Sequence, residues 1–316
     1  MYIDNIHIDQ LDSLNTTDVF NSKDWIANLQ HEGLQLLGVF NKNKEIIGCF
    51  YFSKYKRGKV LSQISAPPFS PHCGLFVQDN TVNPAQKITF RKKVLALVSD
   101  YFNERKFDIL SVPFPAEYTD MQEFIWSKFR VEPRYTYQLD LNDSEESLLA
   151  NMSSERRKNI RKAEKDGIIA TLVTNLDEAK ILIAGTYKKQ SISGKEAALD
   201  KIFNSFATAE NSICFVSYDK EKTPVATVFC VMDKETCYYI LGGYHATKKH
   251  EGAGALAMWS AIKLAKDNGV KTFDFEGSMM PAIEKYFRGF GGKIVPFFSI
   301  KKENLLGNTF LKLRSK

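Results

Sequence analysis

The sequence has no apolar run that approaches the ~20 residues needed to span a bilayer as a helix. This absence excludes the class of helical integral membrane proteins. Residues 1–14, MYIDNIHIDQLDSL, also lack the basic segment followed by an apolar segment that marks a secretory signal. We therefore expect a cytoplasmic protein.

The sequence contains few cysteines, and their spacing matches no metal-binding motif. The five cysteines form no CxxC pair, and most of them sit in apolar runs such as IIGCFYF and VATVFCV. An odd number in such runs excludes a disulfide framework and predicts reduced thiols in the core. His245 and His250 are five residues apart without an acidic ligand pattern, so we expect no metal. No GxSxG motif is present, which excludes a serine hydrolase of that type.

The charge balance excludes a strongly basic tail. There are 43 Lys and Arg against 37 Asp and Glu, which gives a net charge of +6. An excess of this size suits an anionic small molecule or RNA, and we expect no DNA partner. With 44% hydrophobic and 12% aromatic residues, the chain can bury a sizeable core.

Both halves of the chain show the same predicted order of elements. Each half gives a strand hairpin, a loop, a long helix, a strand, a short helix and a last strand. This order predicts an α/β protein of α+β type with a mixed sheet, built from two copies of one unit. The predicted domains are residues 1–140 and 141–316.

The stretch MSSERRKNIRKAEKDG, residues 152–167, predicts a basic helix that opens the second domain. Ser153 or Ser154 can cap it, and Gly167 follows its end. Arg157 and Arg161 are four residues apart and share one face with Lys165. Ile160 and Ala163 can face the core. Arg156 could stretch along the protein surface. The helix is either a solvated face or a site for an anion, for which arginine forks are suited.

The loop HATKKHEGAG precedes a predicted helix through ALAMWSAIKLAKD. Lys249, Gly252 and Gly254 stand where a helix start could present N–H groups to a pyrophosphate. The alternative is that the glycines only allow close packing between strand and helix.

The segment FDFEGSMM places Asp274 and Glu276 on one face of a strand. Glu276, at the end of that strand, is a candidate general base or amine ligand, and the alternative is a structural cap or pair. Tyr244 ends the preceding GGY strand and is a candidate donor to an oxyanion or a leaving group. Single tyrosines more often serve packing.

Three stretches resemble the Fem-type transferases and the wider group of bacterial acetyltransferase-like proteins. RRKNIRKAEKDG resembles the basic helix that opens their second domain, RYTYQLDL the strand before it, and KTFDFEGSMMPAIEKYFRGFGG their terminal strand, turn and helix. The resemblance implies two tandem domains of the Gcn5-related N-acyltransferase (GNAT) fold. The family often carries Phe-Lys ahead of Phe-Gly. Here Phe287 stands at the position of that Lys, and Arg288 follows it.

What the resemblance implies is an acyltransferase that acts on an amine bound in an interdomain cleft. Arg157, Arg161, Ser278 and Arg288 would bind the substrate, and transfer would be direct. The donor would be acyl-CoA, or alternatively aminoacyl-tRNA, although the helical arm of tRNA-using Fem enzymes is not evident here. The acceptor would be a small amine, including a cell-wall precursor.

Two other classes of function stay open. A duplicated fold with an altered site could be a non-catalytic module that binds a metabolite or a partner. An RNA-binding protein ranks last, because surfaces that bind RNA usually interleave aromatic residues with the basic ones, and the basic helix contains none.

Overall fold

The computed structural model describes residues 1–29, 31, 33–58, 60–189, 196–277 and 279–314. These residues form two compact units. Unit 1 comprises Met1–Thr16, Phe20–Arg134 and Pro296–Lys316, and unit 2 comprises Thr17–Val19 and Tyr135–Val295.

Within the described residues, unit 1 contains a mixed sheet and four helices. Its strands are β1 (Tyr2–Asn5), β2 (Leu34–Phe40), β3 (Ile46–Arg57), β4 (Leu61–Ser65), β5 (Phe76–Val77) and β6 (Ile109–Pro113). Its helices are α1 (Lys23–Asn28), α2 (Pro84–Asn103), α3 (Gln122–Trp126) and α10 (Leu305–Arg314). Two 3-10 turns cover Ile8–Ser13 and Val19–Asn21, the second of which begins in unit 2.

Unit 2 holds the elements that build the candidate site. Its strands are β8 (Ile169–Leu172), β9 (Ser212–Tyr218), β10 (Pro224–Met232), β11 (Thr236–Tyr244) and β12 (Thr272–Asp274). Its helices are α4 (Glu145–Asn151), α5 (Ser154–Lys165), α6 (Asp177–Lys189), α7 (Glu196–Lys201), α8 (Ala253–Asp267) and α9 (Pro281–Arg288), with a π-helical turn at Ile202–Phe206. Two long strands, β7 (Arg130–Asp140) and β13 (Lys293–Glu303), each contribute residues to both units.

The two units pair their strands in the same order. In unit 1, β1 to β4 are antiparallel neighbours, β4 pairs parallel with β6, and residues 299–303 of β13 pair antiparallel with β6. In unit 2, β8 to β11 are antiparallel neighbours, β11 pairs parallel with β12, and residues 138–140 of β7 pair antiparallel with β12. Each unit therefore has one parallel pair within an otherwise antiparallel sheet.

This pairing divides the chain differently from the predicted domain bounds. The strand expected at the end of the first domain supplies the last antiparallel strand of unit 2, and the C-terminal strand supplies that of unit 1. Residues 296–316 consequently group with unit 1, because β13 hydrogen bonds to β6 there. Whether the two halves superpose as copies of one domain stays a prediction.

Each unit has its own apolar core. In unit 2, α8 is apolar on nearly all sides and is buried along most of its length against β9 and β10. It ends at Asn268 and Gly269, and Gly269 has a φ of +79°, the left-handed conformation that suits glycine after a helix. α8 thereby places its N-terminus beside the end of β11.

Candidate active site

The start of α5 is fixed by a serine cap. The Ser153 side chain accepts the N–H of Arg156 at 3.2 Å, and the Ser153 N–H donates to the Gly289 carbonyl at 2.9 Å. The first bond satisfies a backbone donor that the helix leaves free, and the second ties this helix start to the end of α9. The cap sets the rotation of α5, and that rotation turns Arg156 inward.

Arg156 is a buried cation without a counter-ion. Its side chain is only 6% exposed, and the guanidinium carbon lies 4.1 Å from the ring centre of Tyr286 and 5.0 Å from that of Phe290. One Nη donates to the Tyr286 carbonyl at 3.4 Å, and Nε has no hydrogen-bond partner among the described residues. Within the described chain, no carboxylate lies within ion-pair distance of it. A buried charge in this state is costly unless a ligand pairs with it.

Tyr244 lies beside this arginine at the end of β11. Its residue is 38% exposed, while its hydroxyl end packs against Gly254. Burial raises the pKa of Tyr244, and this outweighs the lowering of the same pKa by a hydrogen bond from Tyr286 and by the charge of Arg156. Because Tyr286 donates to the Tyr244 oxygen, the Tyr244 proton is free to point toward another acceptor.

The loop before α8 is anchored to α5 by two hydrogen bonds. His250 Nδ1 accepts the N–H of Gly252 at 3.1 Å, so in the neutral ring Nε2 carries the proton, which it donates to Asp166 at 3.1 Å. Asn159 donates its side-chain N–H to the Glu251 carbonyl at 2.9 Å. Asp166 also pairs with Lys162 at 2.6 Å, and Lys162 first and His250 second lower the pKa of Asp166 to about 2.

The two glycines at the start of α8 are required by close packing. A Cβ at Gly252 would lie 2.0 Å from the Asn159 carbonyl oxygen, and one at Gly254 would lie 2.1 Å from the Tyr244 hydroxyl. The packing explanation therefore accounts for both positions. It is compatible with anion binding, because the N–H groups of Gly254 and Ala255 have no acceptor within the described residues.

These elements enclose a pocket of about 530 Å³ in unit 2. Its lining residues come from α5, the end of β11, the loop before α8, and α9: Glu155, Arg156, Asn159, Tyr244, Lys249, His250, Glu251, Ala282, Lys285 and Tyr286. Lys285 pairs with Glu155 at 3.3 Å. No ion pair of Lys249 occurs in the part of the chain that the structure describes, so Arg156 and Lys249 supply positive charge toward a ligand.

Tyr244 and Lys249 line the pocket, and Gly254 lies against the Tyr244 hydroxyl, whereas the predicted arginines lie elsewhere. One Nη of Arg157 donates to the carbonyls of Leu149, Ala150 and Met152, the last a very short contact. Arg157 thus caps the C-terminal end of α4, where such groups lack partners. Arg161 is exposed and does not line the pocket.

Arg288 is engaged outside the pocket. Its Nε lies 2.7 Å from a Glu284 oxygen, and Tyr137 donates its hydroxyl to the same oxygen at 2.5 Å. This network directs Arg288 along the surface of α9. Arg288 therefore does not replace, at the pocket, the lysine that the family carries one position earlier.

Glu276 is also outside the pocket lining. It has a φ of +56°, and its N–H donates to Asp274 at 2.7 Å. Burial, then Asp274, then Asp18 hold the pKa of Glu276 well above its usual range. Asp274 accepts from Thr136 and Gln138 and has the structural role that was one of the two predicted alternatives. Ser278 lies outside the described residues.

Arg156 and Tyr286 are among the pocket residues that the sequence interpretation missed. The signal for Arg156 was its spacing of four and seven from Ile160 and Ala163, which are buried. Those intervals place it on the core face of α5. No spacing in the sequence marks Tyr286 as a site residue, since its role comes from its contact with Arg156.

The structure contains neither a metal cluster nor a spanning helix within its described residues. No group of three or more His, Cys, Asp or Glu side chains there could hold a metal ion. No described helix combines the length and the apolar character that crossing a bilayer requires.

Comparison with known proteins identifies the domain that holds the pocket. Residues 150–288, which run from the end of α4 to the end of α9, match the family described as acetyltransferase (GNAT) domain. Comparison with curated proteins gives no match.

Solved structures agree over nearly the whole chain. FemX has a TM-score of 0.63 at 13% identity and is covered, like this chain, over 100% of its length. A tandem GNAT protein from the clavulanic acid biosynthesis pathway has a TM-score of 0.53 at 9% identity, over 94% of this chain and 93% of that one. L-PGS from Bacillus licheniformis has a TM-score of 0.53 at 10% identity, over 92% and 91%. The predicted fold class, α/β with tandem GNAT-like character, is confirmed, as is the resemblance to Fem-like and GNAT proteins.

Proposed function

We propose that this chain transfers an acyl group from an activated donor to an amine, because its residues 150–288 match the acetyltransferase (GNAT) domain family and its fold resembles that of FemX. The observation that carries this proposal is the juxtaposition of Arg156 and Tyr244. A buried guanidinium with an unpaired Nε lies beside a tyrosine whose proton is free to be donated. Arg156 is suited to bind an anion, and Tyr244 is suited to donate a proton.

The residues at the pocket fit an acyl-CoA donor. Arg156 and Lys249 line the pocket and supply donors of the kind that phosphate oxygens accept. Close by, at the start of α8, the N–H groups of Gly254 and Ala255 have no acceptor among the described residues. Acyl-CoA, when bound, would supply the activated thioester carbonyl. The alternative donor, aminoacyl-tRNA, also carries phosphates, so the same residues are compatible with it.

Tyr244 would serve as the acid of the reaction. Since its pKa is raised, the phenol keeps its proton at neutral pH and can give it to a leaving group as that group departs. Tyr286 would orient it by donating to its oxygen. An acyl transfer between a bound amine and an activated carbonyl requires positioning and proton transfer rather than a covalent enzyme intermediate, so direct transfer is proposed.

The acceptor is proposed to be a small amine, and a cell-wall precursor is the one that the Fem-like fold suggests. Arg157, Arg161 and Ser278 stay candidates from the sequence for contact with it. Glu276 stays a candidate general base on the same terms. Its raised pKa makes the Glu276 carboxylate a stronger base than an ordinary one, but Glu276 would have to act outside the described pocket.

Titration calorimetry with acetyl-CoA, combined with an assay for released thiol across a panel of amines, tests the proposal. We expect binding, turnover with at least one amine, and a loss of turnover of at least ~100-fold in Tyr244→Phe, the low end for general acid catalysis. The matched control is Tyr218→Phe, because Tyr218 lies on β9 outside the pocket lining. Absence of acetyl-CoA binding would reject that donor and shift the proposal to aminoacyl-tRNA.

A binding module without catalysis is the second candidate. It is favoured by the engagement of Arg288 with Glu284, which leaves the position of the family lysine without a basic replacement at the pocket. Binding of acetyl-CoA without turnover of any amine would support this candidate over the enzyme.

A further inference from the structure

Tyr244 is the last residue of β11, and the neighbouring strand β12 does not reach it. Within the described residues, β12 pairs with residues 236–238 of β11. The His245 N–H donates to the Val225 carbonyl at 2.9 Å, so the backbone of His245 faces β10. Because the backbone groups of successive residues in a strand point to opposite sides, the Tyr244 N–H points away from β10. The end of β11 therefore needs a hydrogen-bond acceptor that neither strand supplies.

Helix α6 supplies that acceptor through Thr186. The Tyr244 N–H donates to Thr186 Oγ1 at 3.0 Å, and the same hydroxyl donates to the Leu182 carbonyl, one turn earlier in α6, at 3.1 Å. A hydroxyl has a single proton, so the bond to Leu182 leaves the oxygen lone pairs for the Tyr244 N–H. Thr186 thus connects the helix to the end of the strand with both its donor and its acceptor engaged.

The glycine next to Tyr244 lets α6 approach the strand this closely. A Cβ at Gly243 would lie 2.4 Å from the Leu182 carbonyl oxygen and 2.5 Å from the Ile183 backbone nitrogen. Because side chains alternate between the two faces of a sheet, Tyr244 points to the opposite face, where its hydroxyl packs against Gly254 at the start of α8. Tyr244 is therefore held by its backbone on the side of α6 and by its hydroxyl end on the side of α8.

We propose that Thr186 is a positioning residue for Tyr244. By fixing the backbone at the end of β11, its hydroxyl holds the phenol at the pocket in the orientation that proton donation requires. A displacement of about 1 Å at a reacting group can lower a rate by about 100-fold. Thr186 does not line the pocket, so it acts through Tyr244 and not on the ligand. The inference rests on the proposed function, in which Tyr244 is the acid of the reaction.

Residue-resolved hydrogen exchange, measured by NMR on the ligand-free protein, tests the hydrogen bond without a substrate. Thr186→Val keeps a similar shape but has no hydroxyl, so we expect the Tyr244 N–H to exchange at least ~10-fold faster. Thr186→Ser keeps the hydroxyl and should exchange like the wild type. Thr186→Ala removes the acceptor with a smaller side chain, and it replaces the valine variant if that variant does not fold.

The matched control is Thr89→Val. The Thr89 hydroxyl also donates to the carbonyl four residues earlier, at 2.8 Å, but it lies on α2 of unit 1. Thr89→Val therefore removes the same bond within a helix without removing a bond to β11. It should leave both the exchange of the Tyr244 N–H and the turnover unchanged.

Thiol release tests the positioning role itself. Thr186→Val should lower kcat at least ~10-fold and leave the Kd for acetyl-CoA within ~2-fold of the wild-type value, and Thr186→Ser should restore kcat. In a Tyr244→Phe background, Thr186→Val should cause no further loss of kcat. A residue that acts only through the Tyr244 hydroxyl has nothing left to position in that background.

Four outcomes would overturn the inference. They are unchanged exchange at Tyr244 in a folded valine or alanine variant, faster exchange with wild-type kcat, a serine variant as impaired as the valine variant, and an undiminished effect of Thr186→Val in the Tyr244→Phe background. Full turnover in Tyr244→Phe, or a wild type that turns over no amine, would instead reject the proposed function. The exchange measurement then decides alone whether Thr186 holds Tyr244 in place.

Discussion

Replacing Arg156 with methionine distinguishes an anion site from a structural contact. Methionine has a similar length and fills the same space without the charge. The loss of two cation–π contacts, to Tyr286 and Phe290, costs about 1–2 kcal/mol each, because the guanidinium is buried. The 3.4 Å bond to the Tyr286 carbonyl is long and adds about 0.5 kcal/mol or less.

The opposing contribution is the desolvation of the charge. A buried ion without a counter-ion carries an effective penalty of several kcal/mol, and Nε of Arg156 has no partner to reduce it. The two contributions should therefore cancel or favour the variant. We expect Arg156→Met to change the free energy of unfolding of the ligand-free protein by between about 0 and +2 kcal/mol, that is, toward greater stability.

Ligand binding, unlike stability, should be weakened in Arg156→Met. The variant loses a charge-assisted hydrogen bond to the ligand, which contributes about 1.5–3 kcal/mol, so the Kd for CoA and for pyrophosphate should rise about 10- to 150-fold. Arg156→Lys keeps a charge but loses the planar fork and the ring stacking, so its Kd should fall between those of wild type and Arg156→Met.

The assays are chemical denaturation without ligand and titration calorimetry with CoA and pyrophosphate. Arg161→Met is the matched control, since Arg161 is an exposed arginine on the same helix outside the pocket lining. A variant that is destabilised by more than 2 kcal/mol would show that Arg156 supports the fold. An unchanged Kd in a folded variant would remove the anion site altogether.

Three further changes separate packing, capping and catalysis. Gly254→Ala should lower turnover at least ~10-fold, because the added Cβ displaces the Tyr244 hydroxyl, while the Kd for CoA should stay within ~2-fold of the wild-type value. Thiol release measures the turnover and calorimetry measures the Kd. A variant with weakened CoA binding and intact turnover would contradict this expectation. Arg157→Ala should lower the free energy of unfolding by about 1–2 kcal/mol, because it removes the cap of α4, and it should leave the Kd for CoA unchanged. Denaturation measures the stability and calorimetry measures the Kd. An unchanged stability would disprove the capping role. In Glu276→Gln, stability should fall less steeply than in the wild type as pH rises above the ordinary glutamate range, because the folded wild type holds a proton on Glu276 that the unfolded chain has released. Denaturation across that pH range checks the sign, and parallel pH curves would refute the raised pKa.

Local patterns in the sequence predicted the elements well. The Ser153 cap, the end of α8 at Asn268 and Gly269, and the three-stranded meander β9 to β11 all follow from short-range signals that the structure reproduces. Such signals succeed because caps, turns and alternation act within a few residues. The position of Lys249 before α8 follows from the same kind of signal, since Gly252 is the N-cap of that helix.

Long-range pairing could not be predicted in the same way. That β7 completes the sheet of unit 2 and β13 that of unit 1 depends on contacts between residues far apart in sequence, such as Ile300 with Val112. The alternation of apolar and polar residues along β7 or β13 is compatible with pairing to either β6 or β12, so it does not select the partner strand. The network that turns Arg288 toward Glu284 and Tyr137 is likewise a tertiary contact, so an alignment of Phe287 and Arg288 with a family motif gives no information on it.

The choice among the three arginines of α5 shows where sequence reasoning had more to offer. Arg157 and Arg161 share a face four residues apart, and charge at that spacing is typical of a solvated helix. Arg156 instead repeats with Ile160 and Ala163 at intervals of four and seven, which is the spacing of the buried face. A polar residue on a core face is more informative than a row of charges on an exposed one, because burial of a charge is costly unless it has a partner. The arginine that breaks the apolar pattern is therefore the one to place in the site.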